Sequence, residues 1–336
     1  MTIYDIARKA GVSASTVSRV INNKPGIKDS TRRRVQKLLE EYEYVPDAAA
    51  RGLVTQASRF VGILIEDIRV SHHTEAIYVI EQEMTRRGYA CITFSTGADP
   101  RRKAEYIQIL EQRRVEGAIL IGSMFGGEEV LGNVERRMSA IPVVTVNASL
   151  PLPNIYSVLA DEERGAEDCA ALLAGDGRRR LAYLTDTATP SSLSKQRGFF
   201  TGMLRCGLEP DPALVVEAPG EGNGPREVIR RGRAAAGRLL EARPETEGIL
   251  CANDLLAIGC LQELRERNIS VPNQVAVIGV DNSLYGQLVT PALTTLDNKP
   301  AEVSLAAART LLDVLEGRAA NRQLLLPTEI IRRESA

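Results

Sequence analysis

Thr2-Ile3-Tyr4-Asp5-Ile6-Ala7-Arg8-Lys9-Ala10-Gly11-Val12-Ser13-Ala14-Ser15-Thr16-Val17-Ser18-Arg19-Val20-Ile21-Asn22 is the stretch that decides how this chain reads. Thr2 stands three residues before Asp5, the reciprocal capping-box spacing that opens a helix. Ile3, Ile6, Ala7 and Ala10 then share one face, because residues three and four apart are neighbours on a helix. Gly11 supplies a sharp turn, and Ser13 is placed to cap a second helix, Ala14 to Ile21. Val17, Val20 and Ile21 point inward, which leaves Ala14, Ser15, Ser18 and Arg19 on the outward face. A short second helix offering small, polar and basic groups near its N-terminus suits the floor of a major groove. An ordinary helical hairpin at the start of an enzyme has the same spacing, so the flanking sequence must arbitrate.

A third amphipathic segment, from about Asp29 to Tyr42, turns Val35, Leu38, Leu39 and Tyr42 inward and Arg32, Arg33, Arg34 and Lys37 outward. Tyr44-Val45-Pro46-Asp47-Ala48-Ala49-Ala50-Arg51-Gly52-Leu53 follows it. With Thr2-Ile3-Tyr4-Asp5-Ile6-Ala7 and Val12-Ser13-Ala14-Ser15-Thr16-Val17-Ser18-Arg19-Val20-Ile21-Asn22, this run closely resembles the lactose/purine repressor (LacI/GalR) family of bacterial regulators. The resemblance continues along the whole chain.

Arg19 and Ser15 are expected to read bases, since an arginine can contact guanine O6 and N7 together. Ala14 offers a methyl to thymine, while Thr16, Ser18 and Asn22 position the backbone. Pro46 interrupts the preceding helix, Asp47 is a suitable cap and three alanines follow. A segment of about eight residues is too short to hold as an isolated helix in water, so it should order on DNA. The resemblance implies that Leu53 wedges into the minor groove at the central base step. Val54 departs from the lysine some relatives carry there. The expected domains are a DNA-binding head at 1–46, a hinge and linker at 47–58, and an effector-binding and dimerisation body at 59–336.

Charge supports that division. Through Phe60 there are 11 Lys/Arg against 6 Asp/Glu, a net +5, and the remainder holds 31 against 37, a net −6. A basic head on an acidic body points to a nucleic-acid-binding head. The start lacks a basic region followed by an apolar run, and no stretch approaches the ~18 apolar residues of a membrane span, so a cytoplasmic protein without membrane contact is expected. Cys91, Cys169, Cys206, Cys251 and Cys260 are scattered without metal-type spacing and read as buried thiols, with no metal or cofactor.

Beyond Phe60, apolar runs alternate with amphipathic segments. Phe60–Ile65, Ala90–Phe94, Ala118–Ile121 and Val143–Val146 read as one series of buried strands, and Leu181–Leu184, Leu214–Val216, Gly248–Cys251 and Val275–Gly279 as a second. Helices are expected between them, one from about Thr74 and another from about Lys195. Such alternation predicts two doubly wound parallel-sheet subdomains with a cleft at the carboxyl ends of the strands. In the resembling family this is the periplasmic-binding-protein-like fold, whose chain crosses between subdomains three times.

The resemblance places effector contacts at His72 and His73, expected on a loop after the first body strand, and at Lys195, Asn253 and Asp281. Asp254 and Asn282 belong to the same motifs. Asn147, Glu66 and Asp67 lie at strand ends where the mouth should be. Asn253 is equally suited to cap the following helix. Lys195 departs from the arginine of many relatives. As a point charge it loses bidentate recognition and leaves an anionic ligand open. Carboxylates and amides together favour a sugar or sugar derivative. If the histidines touch it, affinity should change between about pH 5.5 and 7.5. No serine elbow, P-loop or Cys/His/Asn set appears. The chain therefore reads as a ligand-responsive repressor that binds a pseudo-palindromic operator as a homodimer. It ends directly after the last apolar run, with no leucine heptads for a tetramer. A sugar-binding protein without a DNA role is the rival reading, and an enzyme with a DNA-binding head is a weaker one.

Overall fold

The computed structural model describes residues 1–336 except 22, 45–57, 187, 221 and 223. Asn22, most of the expected hinge and the expected wedge Leu53 therefore lie outside the described residues. The chain divides into two compact units, Met1–Arg59 and Phe60–Ala336.

The first unit holds α1 (Ile3–Ala10), α2 (Ala14–Ile21) and α3 (Asp29–Glu41). Thr2 caps α1, and both halves of its capping box with Asp5 are formed. Gly11 ends the helix in the left-handed conformation, φ 62°, which a side chain would resist. Ile6, Ala7, Ala10, Val17, Val20 and Val35 form the buried core. Lys9 donates to the Tyr42 hydroxyl at 3.1 Å, so α1 is clamped to the end of α3.

In chain order the second unit runs β1 (Phe60–Ile65), α4 (Ser71–Arg86), β2 (Ala90–Ser95), α5 (Pro100–Gln112), β3 (Gly117–Ile121), α6 (Glu128–Met138), β4 (Val143–Val146) and β5 (Ile155–Ala160). It continues through α7 (Glu162–Gly175), β6 (Leu181–Thr185), α8 (Pro190–Arg205), β7 (Val215–Glu217), α9 (Pro225–Ala242), β8 (Gly248–Cys251), α10 (Asp254–Glu266) and β9 (Ala276–Val280). Last come α11 (Leu284–Leu288), β10 (Thr294–Asp297), α12 (Pro300–Leu315), β11 (Gln323–Leu326) and β12 (Glu329–Ile331).

Two six-stranded sheets result, ordered β11-β5-β4-β3-β1-β2 and β12-β10-β9-β8-β6-β7. All pairings are parallel except β10 with β12. The central strands β3, β4, β6, β8 and β9 are buried throughout. Helices on both faces explain why these strands read as continuous apolar runs. The class expected from sequence, a helical head on two doubly wound parallel-sheet subdomains, is the class observed.

Several elements depart from the expected spacing. β5 and the last three strands were not expected. Tyr156 and Ser157 interrupt the apolar run of β5, and polar Thr294 and Thr295 open β10. α4 starts at Ser71 rather than Thr74, and α8 at Pro190 rather than Lys195. The second shift has a local cause, a Thr189–Ser192 capping box followed by proline at the first helical position.

The chain passes between subdomains after β5, after β10 and after β11. Glu162 opens α7 directly after the first passage, and Asn298 follows β10 at the second. At the third, Thr328 donates its hydroxyl to the Asp161 carbonyl at 3.3 Å, tying it to the first.

Candidate functional site

On the head, the exposed end of α2 begins with a hydroxyl cluster. Ser13 Oγ accepts the Thr16 N–H at 3.2 Å, the expected cap. It also lies 2.8 Å from Ser15 Oγ and 2.9 Å from Thr16 Oγ1. Ser15 and Arg19 are exposed, and Thr16 and Ser18 half-buried. Ala14 is half-buried against the core rather than fully outward, because the first turn of a short helix leans on its neighbours. Arg19 Nη2 donates to the Pro25 carbonyl at 2.9 Å, which folds the side chain back along the loop after the helix. Arg32 also departs from expectation. Its guanidinium bonds Asn23 Oδ1 and the Lys24 carbonyl, both at 2.8 Å, and braces that loop. Arg33, Arg34 and Lys37 remain exposed on α3.

The cleft of the body gathers side chains from distant segments. His72 and His73 occupy the first turn of α4, not a loop. His73 is buried and donates from Nδ1 to the Asp67 carbonyl at 2.9 Å, which fixes its neutral tautomer. His72 stacks edge-on against it, centroids 4.6 Å apart, and brings Nδ1 to 3.6 Å from Asp281 Oδ2 in the other subdomain. Desolvation pushes both imidazoles down to about 4, and Lys195 adds to the effect on His72. The expected histidine titration at pH 5.5–7.5 is therefore displaced downward. Asp281, with φ 104°, is instead pushed up to about 7 by burial, with Glu162 adding and Lys195 opposing.

Lys195 is 5% exposed, in the second turn of α8. Its Nζ donates to Ser191 Oγ at 2.7 Å and Glu162 Oε1 at 3.2 Å, while Ser191 Oγ donates to Glu162 Oε2 at 2.6 Å. Close packing of α7 on α8 sets this geometry. A Cβ on Gly198 would stand 1.9 Å from the Glu163 carbonyl oxygen, so only glycine lets the helices approach this far. The Lys195 charge thus has a partner already, the Glu162 carboxylate. Asn298 Nδ2 donates to Glu162 Oε1 at 3.1 Å and Asp281 Oδ1 at 3.5 Å, bridging the two carboxylates.

Asn253 caps α10 by accepting the Leu256 N–H at 2.9 Å, and its Nδ2 faces Asp186 Oδ2 at 3.4 Å. Asp254 lies beneath, accepting from Thr295 Oγ1 and the Ser283 N–H, each at 2.6 Å. Burial and the nearby Asp281 push it up to about 7. Asn282 is engaged by Asp297 and Arg333, and so belongs to the subdomain's own scaffold. Asn147, with φ 54°, accepts the Ala160 N–H at 2.9 Å and locks the end of β4 to β5. Glu66 pairs with buried Lys103 at 2.9 Å and Asp67 with Arg69 at 2.6 Å.

The structure therefore brings His72, Lys195, Asp281 and Asn253 to one region. His73 sits behind His72, and Asn147 lines an adjoining cavity of about 500 Å³ that Glu162 and Ser191 also line. Sequence reading missed Glu162, Ser191, Asn298 and Asp186. Recognition of β5 would have exposed Glu162, since a polar residue just past a parallel strand's carboxyl end faces the cleft. Among the described residues, no cluster of three or more His, Cys, Asp or Glu could hold a metal ion, and no helix is long and apolar enough to cross a membrane.

Residues 2–47 match the model for bacterial regulatory proteins of the lacI family, and residues 170–336 that for a periplasmic binding protein-like domain. The chain is 30% identical over 336 residues to the HTH-type transcriptional regulator DegA of Bacillus subtilis (strain 168), covering 99% of this chain and 97% of that one. In fold it is similar to the lac repressor dimer bound to operator and the anti-inducer ONPF, at TM-score 0.89 and 22% identity, covering 100% and 98%. It is also similar to the transcriptional regulator CelR in complex with cellobiose, at TM-score 0.74 and 23% identity, covering 100% of both chains.

Proposed function

The chain belongs to the LacI family of bacterial regulatory proteins, and from that premise we infer that it is a cytoplasmic repressor. We read it as binding a pseudo-palindromic operator as a homodimer and responding to a small carbohydrate-like effector, with no enzymatic activity. The domain division we propose is a reader at 1–46, a hinge and linker at 47–58, and an effector and dimerisation body at 59–336. Arg19 and Ser15 read bases, Ala14 touches a thymine methyl, and Thr16, Ser18 and Asn22 position the phosphates. In the hinge, Leu53 acts as the minor-groove wedge. One head contacts only a few base pairs, so a useful specificity ratio needs two heads on a two-fold site.

The observation that carries the allosteric part is where the cleft groups sit on the chain. Glu162 and Asn298 stand at two of the three passages between subdomains, and both bond into the cluster that includes Lys195 and Asp281. A ligand that rearranges those bonds changes how the subdomains are held. A ligand shifts an equilibrium by as much as its affinities for the two states differ, and this placement gives it a differential contact. The dimer's two heads are tied to the bodies by the hinge, so that shift alters their fit to two half-sites.

A mobility-shift assay with genomic fragments, repeated with a panel of sugars, tests the reading. Specific retardation that a ligand relieves or strengthens is the expected result, and Asp281→Ala should bind operator normally while losing the ligand response. Absence of any sequence-specific shift would refute the repressor assignment. Wild-type ligand sensitivity in Asp281→Ala would refute the pocket.

A further inference from the structure

We infer that the effector carries a protonated amine, a hydroxylated primary ammonium compound of the amino-sugar class rather than a neutral or phosphorylated sugar. The inference deepens the effector reading given above and rests on it. Three features of the cleft carry it.

The first is the state of its cation. Lys195 Nζ is 3.2 Å from Glu162 Oε1 and 2.7 Å from Ser191 Oγ, with both pair members about nine-tenths buried. A phosphate arriving there would have to displace Glu162 and leave a buried carboxylate without its counter-charge, a strongly unfavourable exchange. Arg197, at the rim of the adjoining cavity, is 61% exposed and already paired with Glu163 at 2.8 Å.

The second is an orphaned acceptor. Asn298 is 9% exposed, and its Oδ1 is buried with no hydrogen-bond partner. Its orientation is fixed, because Nδ2 faces two carboxylates and turning the amide over would point oxygen at oxygen. Buried polar groups left unpaired are rare and costly, so this carbonyl, on the residue that bridges Glu162 and Asp281, is a place where an arriving donor is stabilising.

The third is Asp281. Its polar contacts are long, 3.5 Å to Asn298 and 3.6 Å to the half-exposed ring of His72, whose imidazole is pushed down to about 4. Neither contact supplies a positive charge, and Lys195, whose field reaches Asp281, forms its ion pair with Glu162. Asp186 adds a further carboxylate, 3.4 Å from Asn253. An ammonium group has three donors and no acceptor. It would give Asp281 a counter-ion and the Asn298 carbonyl a donor in one step. The rest of the ligand meets a cavity that mixes Ser123, Ser191 and Ser194 with Leu159, Pro190 and Leu325, a lining that suits both the hydroxyls and the apolar ring face of a sugar.

Isothermal titration of the full-length protein at neutral pH with matched pairs provides the test: glucosamine against glucose, galactosamine against galactose, mannosamine against mannose, and serinol against glycerol. N-acetylglucosamine and glucose 6-phosphate serve as controls. At least one amine should bind about tenfold or more tightly than its hydroxyl parent, and N-acetylation should remove the gain. Asp281→Asn should bring amine and parent to parity, with folding verified by thermal unfolding and operator binding. If that variant fails to fold, the acetylation comparison in the wild-type protein decides. Tighter binding of a parent sugar or of the phosphate, or no amine binding at millimolar concentration, overturns the inference. The repressor reading survives those results, since it stands on operator binding and its response to any ligand.

Discussion

The head and the cleft both concentrate charge, but in opposite dielectric settings. On the head, Arg33, Arg34 and Lys37 are exposed, and Arg19 and Arg32 rest on loop carbonyls at the surface. In the cleft, Lys195, Glu162, Asp254 and Asn298 are each buried to nine-tenths or more, and every bond among them is made away from solvent. Exposed charges are screened within a Debye length, whereas buried ones are screened little, and burial moves the proton equilibria of Asp254 and Asp281 upward. Salt should therefore govern the reader and pH the cleft. Two inputs of different physics reach one regulator through separate units.

The largest expected effect is on the salt side. A protein making about 6–10 phosphate contacts loses about 10³–10⁵ in affinity between 50 and 200 mM salt. Operator binding, followed by fluorescence anisotropy, should fall over that range, while effector affinity should change by less than about threefold if its charges are as buried as described. Parallel losses in both would erase the contrast.

Next in size is a packing test confined to the body. Gly198→Ala places a methyl 1.9 Å from the Glu163 carbonyl oxygen, so α8 must move away from α7. Overpacking of this kind costs about 1–3 kcal/mol. It should also lengthen the Lys195–Glu162 pair and weaken effector binding. The urea midpoint of the body should drop, while an isolated α1–α3 signal, from the Tyr4 and Tyr42 resonances, stays put. An unchanged midpoint would show that the close approach is not tight.

The legible and illegible parts of this molecule divide along similar lines. The signals that start and stop the head's first two helices are local. The Thr2–Asp5 box, the Gly11 stop and the Ser13 cap each involve residues within a few positions, and all could be read. Central strands were legible because burial on both faces leaves an uninterrupted apolar run. β5 was not, since Tyr156 and Ser157 break that run, and with β5 went the reason to look at Glu162. Asn298 meets Glu162 across 136 positions, and no periodicity reports a contact at that separation. Lys195 was identified, but its neutralisation was not, because the partner's position depends on two glycine-packed helices.

A smaller effect probes whether Arg19 can leave its perch. In the structure its Nη2 donates to the Pro25 carbonyl at 2.9 Å, and reading a guanine requires the guanidinium to turn toward the groove. Arg19→Ala should lose about 1–3 kcal/mol of discrimination at one operator position, measured against all single-base variants. Uniform weakening across every variant would reassign Arg19 to phosphate, and the head's contribution would become electrostatic alone.

The smallest net effect is the pH dependence of wild-type stability, because two sets of titrations oppose each other. His72 and His73 are pushed down to about 4, so the stability tied to their neutral forms is present above the unfolded value near 6.5 and is lost as pH falls toward 4. Asp254 and Asp281 are pushed up to about 7, so theirs is present below the unfolded value of 3.8 and is lost as pH rises toward 7. The windows overlap from about pH 4 to 6.5, where the slopes carry opposite signs. His73, 5% exposed, and Asp254, 1% exposed, are the better shielded member of each pair. Asp281→Asn removes one falling limb and, by taking a neighbouring charge away, weakens the push on Asp254 as well. The urea midpoint of the variant, relative to wild type at the same pH, should therefore rise steadily from pH 4.5 to 7, with the gain complete near 7.5. A variant whose midpoint runs parallel to wild type at every pH would mean that Asp281 is ionised across the whole range in the folded protein. The cleft would then be no drier than the head, and the contrast between the two regions would rest on salt alone.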